Sequence, residues 1–260
     1  MSQNVLVVHG GGPTAVINAS LYGVIEEAKR NPEVGKVYGA IGGTGAIFSE
    51  TFIDLTSFDD EKLKLLLHTP ASAIGSSRYP LYEKDYEKMV DIFKKHDIKY
   101  VLLNGGNGTM DACGHIYEVC KDQDIKVVGI PKTIDNDIAM TDHSPGYGSA
   151  ARFIAASTRE VGEDVKSLPI HVCIMEAMGR NAGWITAASA LARRKQGDAP
   201  HLIYLPERNF NEDEFLEDVS RLQKKQGGVV VLVSEGLHDA NGESIVPPIF
   251  KSERAVYYGD

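Results

Sequence analysis

Short apolar runs alternate along this chain with segments of helical periodicity. The strands are predicted at residues 5–8, 36–41, 100–103, 125–130, 170–176, 202–205 and 229–233. The helices are predicted at residues 15–30, 110–121, 148–166, 183–193 and 211–226. Strands and helices that alternate in this way predict right-handed βαβ units built on parallel sheets.

The predicted fold class is therefore α/β, with two Rossmann-like three-layer lobes that have parallel-sheet cores. A chain of 260 residues is long enough for two such lobes. Turn-forming residues at 141–148 indicate the boundary between them. We expect residues 1–140 to form the first lobe, 141–240 the second, and 241–260 the start of a segment that returns to the first.

Composition narrows the possible partners. The net charge of −9 argues against binding to nucleic acid or to a membrane surface, because both carry negative charge. No apolar run approaches the ~18 residues of a membrane span. Cys113, Cys120 and Cys173 are odd in number and lack metal-ligand spacing, which is typical of reduced core thiols in a cytoplasmic protein.

Two glycine-rich loops follow predicted strands and precede predicted helices. Gly10-Gly11-Gly12 has neither the Walker A nor the Rossmann spacing, and Gly105-Gly106-Asn107-Gly108-Thr109 repeats the construction with an amide and a hydroxyl added. Each loop alone is compatible with a tight turn that requires glycine. Both loops can also bring backbone N–H groups and a helix N-terminus to a phosphate.

The segment Pro131–Asp137 places Lys132, Thr133, Asp135 and Asp137 directly after a predicted strand. Ligands of open parallel sheets bind outside the carboxyl ends of the strands, so this cluster can meet a bound anion. In a loop, one carboxylate can accept a proton while the other helps to hold a metal. A solvated acidic turn is the alternative interpretation.

Arg78 and Arg180 each follow small, flexible residues. Either guanidinium can clamp a phosphate with its planar array of N–H donors. An isolated surface arginine is more often simply solvated.

Six segments in a fixed order then carry a resemblance to a known family. They are Gly11, 75–78, 105–109, 131–137, 145–152 and 176–180. Together they resemble the 6-phosphofructokinase family, with matching order and spacing from about residue 5 to residue 237. The resemblance implies a phosphofructokinase-like fold and phosphoryl transfer from ATP or pyrophosphate to the 1-hydroxyl of fructose 6-phosphate in glycolysis. It also implies Mg²⁺ as cofactor and a homodimer or homotetramer.

The resemblance also assigns roles to individual residues. Asp135 resembles the base for the sugar hydroxyl, Thr133 its helper in positioning the phosphoryl group, and Asp137 a support near the metal. The donor-binding residues implied are Gly11, Arg78, Tyr79, Gly106, Asn107, Gly108, Thr109 and Lys132. The substrate-binding residues implied are Thr133, Asp135, Met178, Gly179, Arg180 and Glu235. Asn107 and Asp137 are implied for the metal, with residues 1–140 as the donor lobe and 141–240 as the sugar-phosphate lobe.

The resemblance gives conflicting indications about the donor. In the family, glycine at the position of Gly108 leaves room for a nucleotide, whereas Lys132 is typical of the pyrophosphate branch. A carboxylate would block an α-phosphate directly while a lysine only adds charge, so ATP is the donor we expect on steric grounds and pyrophosphate is the alternative.

Three departures from the family pattern keep rival interpretations open. Asn107 replaces a metal-binding aspartate, and His171 replaces an arginine that reaches a neighbouring subunit, although His171 fits a core strand equally well. The chain is also shorter than its family, so we expect a truncated protein with weak activity and poor solubility. A catalytically inactive regulatory or structural relative is one alternative, and a kinase of another small substrate is a second.

Overall fold

The computed structural model describes residues 3–245, and their contacts divide into two compact units after Thr133. Residues 3–133 contain a five-stranded sheet in the order β3-β2-β1-β4-β5. Its strands are β1 (Gln3–Gly10), β2 (Val34–Ala40), β3 (Phe52–Asp54), β4 (Ile98–Gly105) and β5 (Lys126–Pro131). All neighbouring strands run parallel except β3, which pairs antiparallel with β2 at the edge.

Helices cover both faces of this sheet. The helices of the first unit are α1 (Ala15–Arg30), α2 (Gly45–Phe48), α3 (Asp60–Lys64), α4 (Glu83–Lys95) and α5 (Asn107–Cys120). Successive residues of β1 point to opposite faces, so Leu6 and Val8 join one hydrophobic cluster while Val5 and Val7 join another. Residues of α4 and α5 complete the first cluster and residues of α1 the second. The first unit therefore has three layers.

The second unit, described here from residue 134 to residue 245, has a smaller parallel sheet in the order β6-β8-β7. Its strands are β6 (Val172–Ala177), β7 (Leu202–Tyr204) and β8 (Val229–Ser234), and its helices are α6 (Tyr147–Ser167), α7 (Trp184–Ala188) and α8 (Glu212–Gln226). The first four residues of β8 are fully buried because the strand lies between two parallel neighbours. The predicted α/β class with parallel-sheet cores is confirmed.

Some elements differ from the prediction. The helix predicted over 183–193 ends as α7 at Ala188 and continues as a 3-10 turn, Ser189–Ala192. The sequence pattern did not predict β3 or α4, although α4 carries a helical stripe of Met89, Val90 and Phe93.

The domain limits stay a prediction. The contacts divide after Thr133, seven residues before the predicted limit at 140. Most of the predicted returning segment, residues 246–260, lies outside the described residues.

The three cysteines are free, and Cys113 and Cys120 lie in the core, as predicted. Burial raises the pKa of Cys120 to about 11 and also raises the pKa of Cys113, so both thiols stay protonated at neutral pH. From residue 3 to residue 245, the helices are too short or too polar to cross a membrane.

Candidate active site

The first unit has a topological switch point between β1 and β4. Because β2 and β4 lie on opposite sides of β1, the connections that follow β1 and β4 leave the sheet in different directions. Crevices of this kind, at the carboxyl ends of the strands, are where open α/β sheets bind ligands. Both glycine-rich loops lie at this edge, with Gly10 paired to Gly105 in the sheet register.

Thr109 holds the two glycine loops against each other from below. Its buried side chain lies directly beneath Gly10 and Gly105, so a Cβ at either glycine would collide with it. A Cβ on Gly105 would also lie 2.7 Å from the Gly10 carbonyl oxygen. Close packing of the loops therefore explains why both residues are glycine, and Thr109 supports the two loops from inside the protein.

The N-terminus of α5 opens at this edge. The helix has 14 residues, its N-cap is Gly106, which carries no side chain, and its first residues Asn107 and Gly108 are exposed. The partial positive charge of a helix N-terminus favours anions. A Cβ on Gly108 would meet no atom within 4 Å among the described residues, so the space beside it is open.

The loop that carries Arg78 is bonded to the loop after β1. The Gly11 N–H donates to the Ser77 carbonyl at 3.0 Å, and the Ser76 hydroxyl donates to the Gly11 carbonyl at 2.6 Å. Arg78 and Tyr79 follow and are exposed, and the Tyr79 ring lies 5.8 Å from that of Phe48. The structure thus brings the sequence-predicted residues Gly11, Arg78 and Tyr79 to the same edge.

Lys132 connects the ends of three neighbouring strands. Its backbone N–H donates to the Gly105 carbonyl at 2.9 Å, and its ammonium group donates to the Gly12 carbonyl. The residue is only 6% exposed. A buried cation therefore lies beside the glycine loops, where it can attract an anionic ligand.

Sequence reasoning missed His9 and Asn18, two buried polar residues that support this edge. His9 is fully buried at the end of β1, and burial, with a contribution from the nearby positive charge of Lys132, lowers its pKa to about 4. Asn18 lies on the inward face of α1 and is also fully buried. A polar residue within an apolar helical stripe was the available signal, because buried polar groups require partners.

The segment that contains Asp135 and Asp137 is irregular, as predicted. Thr133, the last residue of the first unit, is buried, while Asp135 and Asp137 in the second unit are half-buried. Between the two carboxylates, Asn136 adopts a left-handed conformation with φ 60°. Its side chain accepts from the Ser144 N–H at 2.7 Å and donates to the Asp142 carbonyl at 3.2 Å, so it fixes the course of the loop.

A second cluster lies at the carboxyl ends of β6 and β8. Glu235 follows β8, and its Oε1 atom accepts from the N–H groups of Gly179 and Arg180, both at 2.9 Å. Gly179 has φ 139°, and a Cβ there would lie 2.5 Å from the Ala182 carbonyl oxygen. Met178 is 62% exposed at the start of this turn. The structure therefore brings together the sequence-predicted residues Met178, Gly179, Arg180 and Glu235.

His171 lies at the other end of β6. It immediately precedes the strand and is exposed, and its carbonyl accepts from the Val229 N–H at 3.0 Å. The expectation that His171 fits a core strand is therefore wrong, because the residue lies outside the sheet where water reaches it.

The residues present are compatible with Mg²⁺ only if a phosphate supplies further ligands. From residue 3 to residue 245, no group of three or more His, Cys, Asp or Glu side chains is arranged to hold a metal. Magnesium in phosphoryl-transfer sites is commonly held by one or two carboxylates together with phosphate oxygens and water. Asp137, a half-buried carboxylate in an irregular loop, fits that requirement.

Comparison with known proteins gives matches over most of the chain. The family described as Phosphofructokinase matches residues 4–256. The chain is 44% identical to the pyrophosphate–fructose 6-phosphate 1-phosphotransferase of Rhodospirillum rubrum, over 93% of this chain and 60% of that protein. It is 30% identical to the ATP-dependent 6-phosphofructokinase of Amycolatopsis methanolica, over 91% of this chain and 52% of that protein.

A solved structure agrees with the fold. The crystal structure of the pyrophosphate-dependent phosphofructokinase from Nitrosospira multiformis superimposes with a TM-score of 0.84 at 38% identity, covering 94% of this chain and 63% of that one. The chain thus spans about three fifths of the length of the pyrophosphate-dependent relatives that it matches.

Proposed function

Because this chain belongs to the phosphofructokinase family, we propose that it transfers a phosphoryl group from pyrophosphate to the 1-hydroxyl of fructose 6-phosphate. The observation that carries this proposal is the arrangement of the two glycine loops and Lys132 at the carboxyl ends of β1, β4 and β5. There the buried Lys132 ammonium lies against the Gly12 carbonyl, and the N-terminus of α5 opens beside it. Such transfers depend on alignment and charge neutralisation, which a cradle of N–H groups and a cation provides.

Two findings favour pyrophosphate as the donor. The relative with 44% identity is named for pyrophosphate, whereas the relative with 30% identity is named for ATP. Pyrophosphate is small and highly charged, and Lys132 places a cation directly against the loop that follows β1. Our sequence-based expectation of ATP rested on Gly108 alone.

ATP is the second candidate, because the open space beside Gly108 leaves room for a larger donor. The glycine permits a nucleotide without requiring one. A donor assay therefore decides between the two.

Asp135 is the proposed base for the sugar hydroxyl, Thr133 positions the phosphoryl group, and Asp137 supports the metal side. The half-buried position of both carboxylates and the fixed path of their loop support these roles. Asp137 and Asn107 are the proposed residues for Mg²⁺, which when bound would neutralise phosphate charge during transfer. Arg78, Tyr79 and the residues from Gly106 to Thr109 complete the proposed donor site.

The turn Met178–Arg180 is the proposed holder of the sugar phosphate, with Glu235 beside it. The Arg180 guanidinium suits the 6-phosphate because it can donate two parallel hydrogen bonds. We further propose a cytoplasmic homodimer or homotetramer, in which the exposed His171 is available to a neighbouring subunit.

The test compares pyrophosphate and ATP at equal Mg²⁺ with fructose 6-phosphate as acceptor. We expect turnover with pyrophosphate, a fall in kcat/KM on the order of 10² in Lys132→Gly, and a fall in kcat on the order of 10² in Asp135→Ser. Gly108→Asp fills the open space beside α5 with a carboxylate, and it should reduce any use of ATP more than the use of pyrophosphate. A higher kcat/KM with ATP would reverse the donor assignment, and no turnover with either donor would favour an inactive relative.

A further inference from the structure

The segment 71–75, which lies shortly before Arg78, has an unusual backbone conformation. Ala71 has φ 59° and Gly75 has φ 73°, so two residues in five are left-handed, and one of them is not glycine. Such conformations persist only where the surrounding structure fixes them, and they cluster at functional sites. The buried polar residues beneath this segment supply that constraint.

Asn18 fixes the first half of the segment. Its Nδ2 group donates to the carbonyls of Thr69 at 2.7 Å and Ala71 at 3.0 Å, and its Oδ1 atom accepts from the Ala73 N–H at 2.8 Å. A single side chain on α1 therefore bonds to the backbone of every second residue from 69 to 73, including the left-handed Ala71.

His9 fixes the second half through Ser72. The Ser72 hydroxyl donates its one hydrogen to the Gly75 carbonyl at 2.6 Å, so at 2.8 Å it must accept from His9 Nδ1. His9 is therefore protonated at Nδ1, and in the neutral ring Nε2 is left as an acceptor for Asn104 Nδ2 at 3.4 Å. Burial keeps the ring neutral, because it lowers the pKa of His9 to about 4.

The chain of hydrogen bonds continues to the candidate donor site. After Gly75, the Ser76 hydroxyl donates to the Gly11 carbonyl and the Ser77 carbonyl accepts from the Gly11 N–H. Arg78 is the next residue. We propose that His9 and Ser72 are positioning residues that hold Arg78 in place for the phosphoryl donor, an inference that rests on the proposed function.

The test uses the 260-residue chain with Ser72→Ala, which removes both hydrogen bonds, and Ser72→Thr, which keeps the hydroxyl. Ser57→Ala is the matched control, since Ser57 also donates to a backbone carbonyl, at 2.7 Å, but in a separate 3-10 turn, Leu55–Ser57. In Ser72→Ala we expect KM for pyrophosphate to rise about tenfold, with kcat and KM for fructose 6-phosphate unchanged. Ser72→Thr should restore the wild-type KM, and Ser57→Ala should match wild type.

A second measurement does not depend on turnover. Trypsin cleavage after Arg78, followed by mass spectrometry, should be about tenfold faster in Ser72→Ala than in wild type or Ser57→Ala. The buried His9→Leu variant should behave like Ser72→Ala, and the double variant should be no worse than either single variant, because both remove the same connection.

The inference is overturned if Ser72→Ala leaves both the cleavage rate and KM for pyrophosphate unchanged. It is also overturned if both substrates lose affinity equally, which would indicate a general structural role. The wild-type chain could use neither donor while Ser72→Ala is still cleaved faster than wild type at Arg78. That result would reject the proposed function while showing that His9 and Ser72 hold the loop.

Discussion

The Glu235 carboxylate accepts the N–H of Arg180 through the same oxygen that accepts the N–H of Gly179, each at 2.9 Å. Glu235, for which the resemblance implies a role in sugar binding, is thus also the anchor of the turn that carries Arg180. Gly179 and Arg180 have φ 139° and 52°, so this turn requires an anchor.

Replacing Glu235 separates its anchoring role from its charge. Glu235→Ala removes two charge-assisted hydrogen bonds, so we expect KM for fructose 6-phosphate to rise at least tenfold with little effect on KM for the donor. Glu235→Gln keeps an acceptor oxygen and should retain most of the affinity. Steady-state kinetics with each substrate varied in turn measures both, and an equal loss in Gln and Ala would show that the negative charge is what matters.

Close packing of the glycine loops predicts a stability difference between two nearby positions. In Gly105→Ala the new methyl group collides with Thr109 and with the Gly10 carbonyl, so the free energy of unfolding should fall by about 1–3 kcal/mol. Gly108→Ala enters open space at the start of α5 and should leave stability unchanged or raise it by up to about 1 kcal/mol. Urea denaturation measures both variants, and equal losses would be inconsistent with the packing described.

The buried His9 predicts how stability depends on pH. Its pKa is about 4 in the folded protein against 6.5 in the unfolded chain, so below pH 6.5 the unfolded state binds more protons at this site. Its contribution to the free energy of unfolding should therefore fall by roughly 3 kcal/mol in all, mostly as pH decreases from 6.5 to 4, and should level off below pH 4.

Chemical denaturation of wild type and His9→Gln at several pH values between 7 and 4 isolates this contribution, because the glutamine does not titrate. The difference in unfolding free energy between the two proteins should narrow steadily as the pH falls. Parallel curves would show that His9 titrates equally in both states.

Asn136 predicts a link between loop geometry and turnover. Asn136→Ala loses the bonds to Ser144 and Asp142 and must keep φ near 60°, so we expect a stability loss of about 2 kcal/mol or more. We also expect at least a tenfold fall in kcat, because Asp135 and Asp137 lose their fixed positions. Thermal unfolding and single-turnover kinetics measure these effects.

Two controls separate the causes in this loop. Asn136→Gly tolerates the positive φ but lacks the side chain, so a kcat as low as in Ala would assign the effect to the hydrogen bonds. Met140→Asn changes a fully exposed residue with φ 58° and should raise stability slightly without affecting kcat. A wild-type kcat in Asn136→Ala would show that the loop does not depend on this side chain.

Much of the fold and of the candidate site could be predicted from the sequence. Buried parallel strands read as continuous apolar runs, which is why β8 was predicted to within one residue, whereas for β1 only the central residues 5–8 of Gln3–Gly10 were predicted. The helix α4 was missed because its stripe of Met89, Val90 and Phe93 is surrounded by charged residues. The glycine loops were predicted because clustered glycines between a strand and a helix mark a turn or loop.

The supporting residues could not be predicted in the same way. His9 and Asn18 have partners 63 and 51 residues or more away in the chain, at Ser72 and Thr69. Glu235 is 56 residues from Gly179. Hydrophobic periodicity reports only on residues a few positions apart in the chain. Contacts between residues more than 50 positions apart therefore cannot be predicted from it.

The sequence by itself determined the α/β class, most of the order of strands and helices, and the residue types available for binding an anion, because these follow from local apolar periodicity and turn chemistry. Only the tertiary structure decided that β1 and β4 are neighbours, that Thr109 packs under both glycine loops, and that Lys132 reaches Gly12. The physical reason is that strand order and buried polar pairing depend on how distant segments share one core, and no local pattern records that choice.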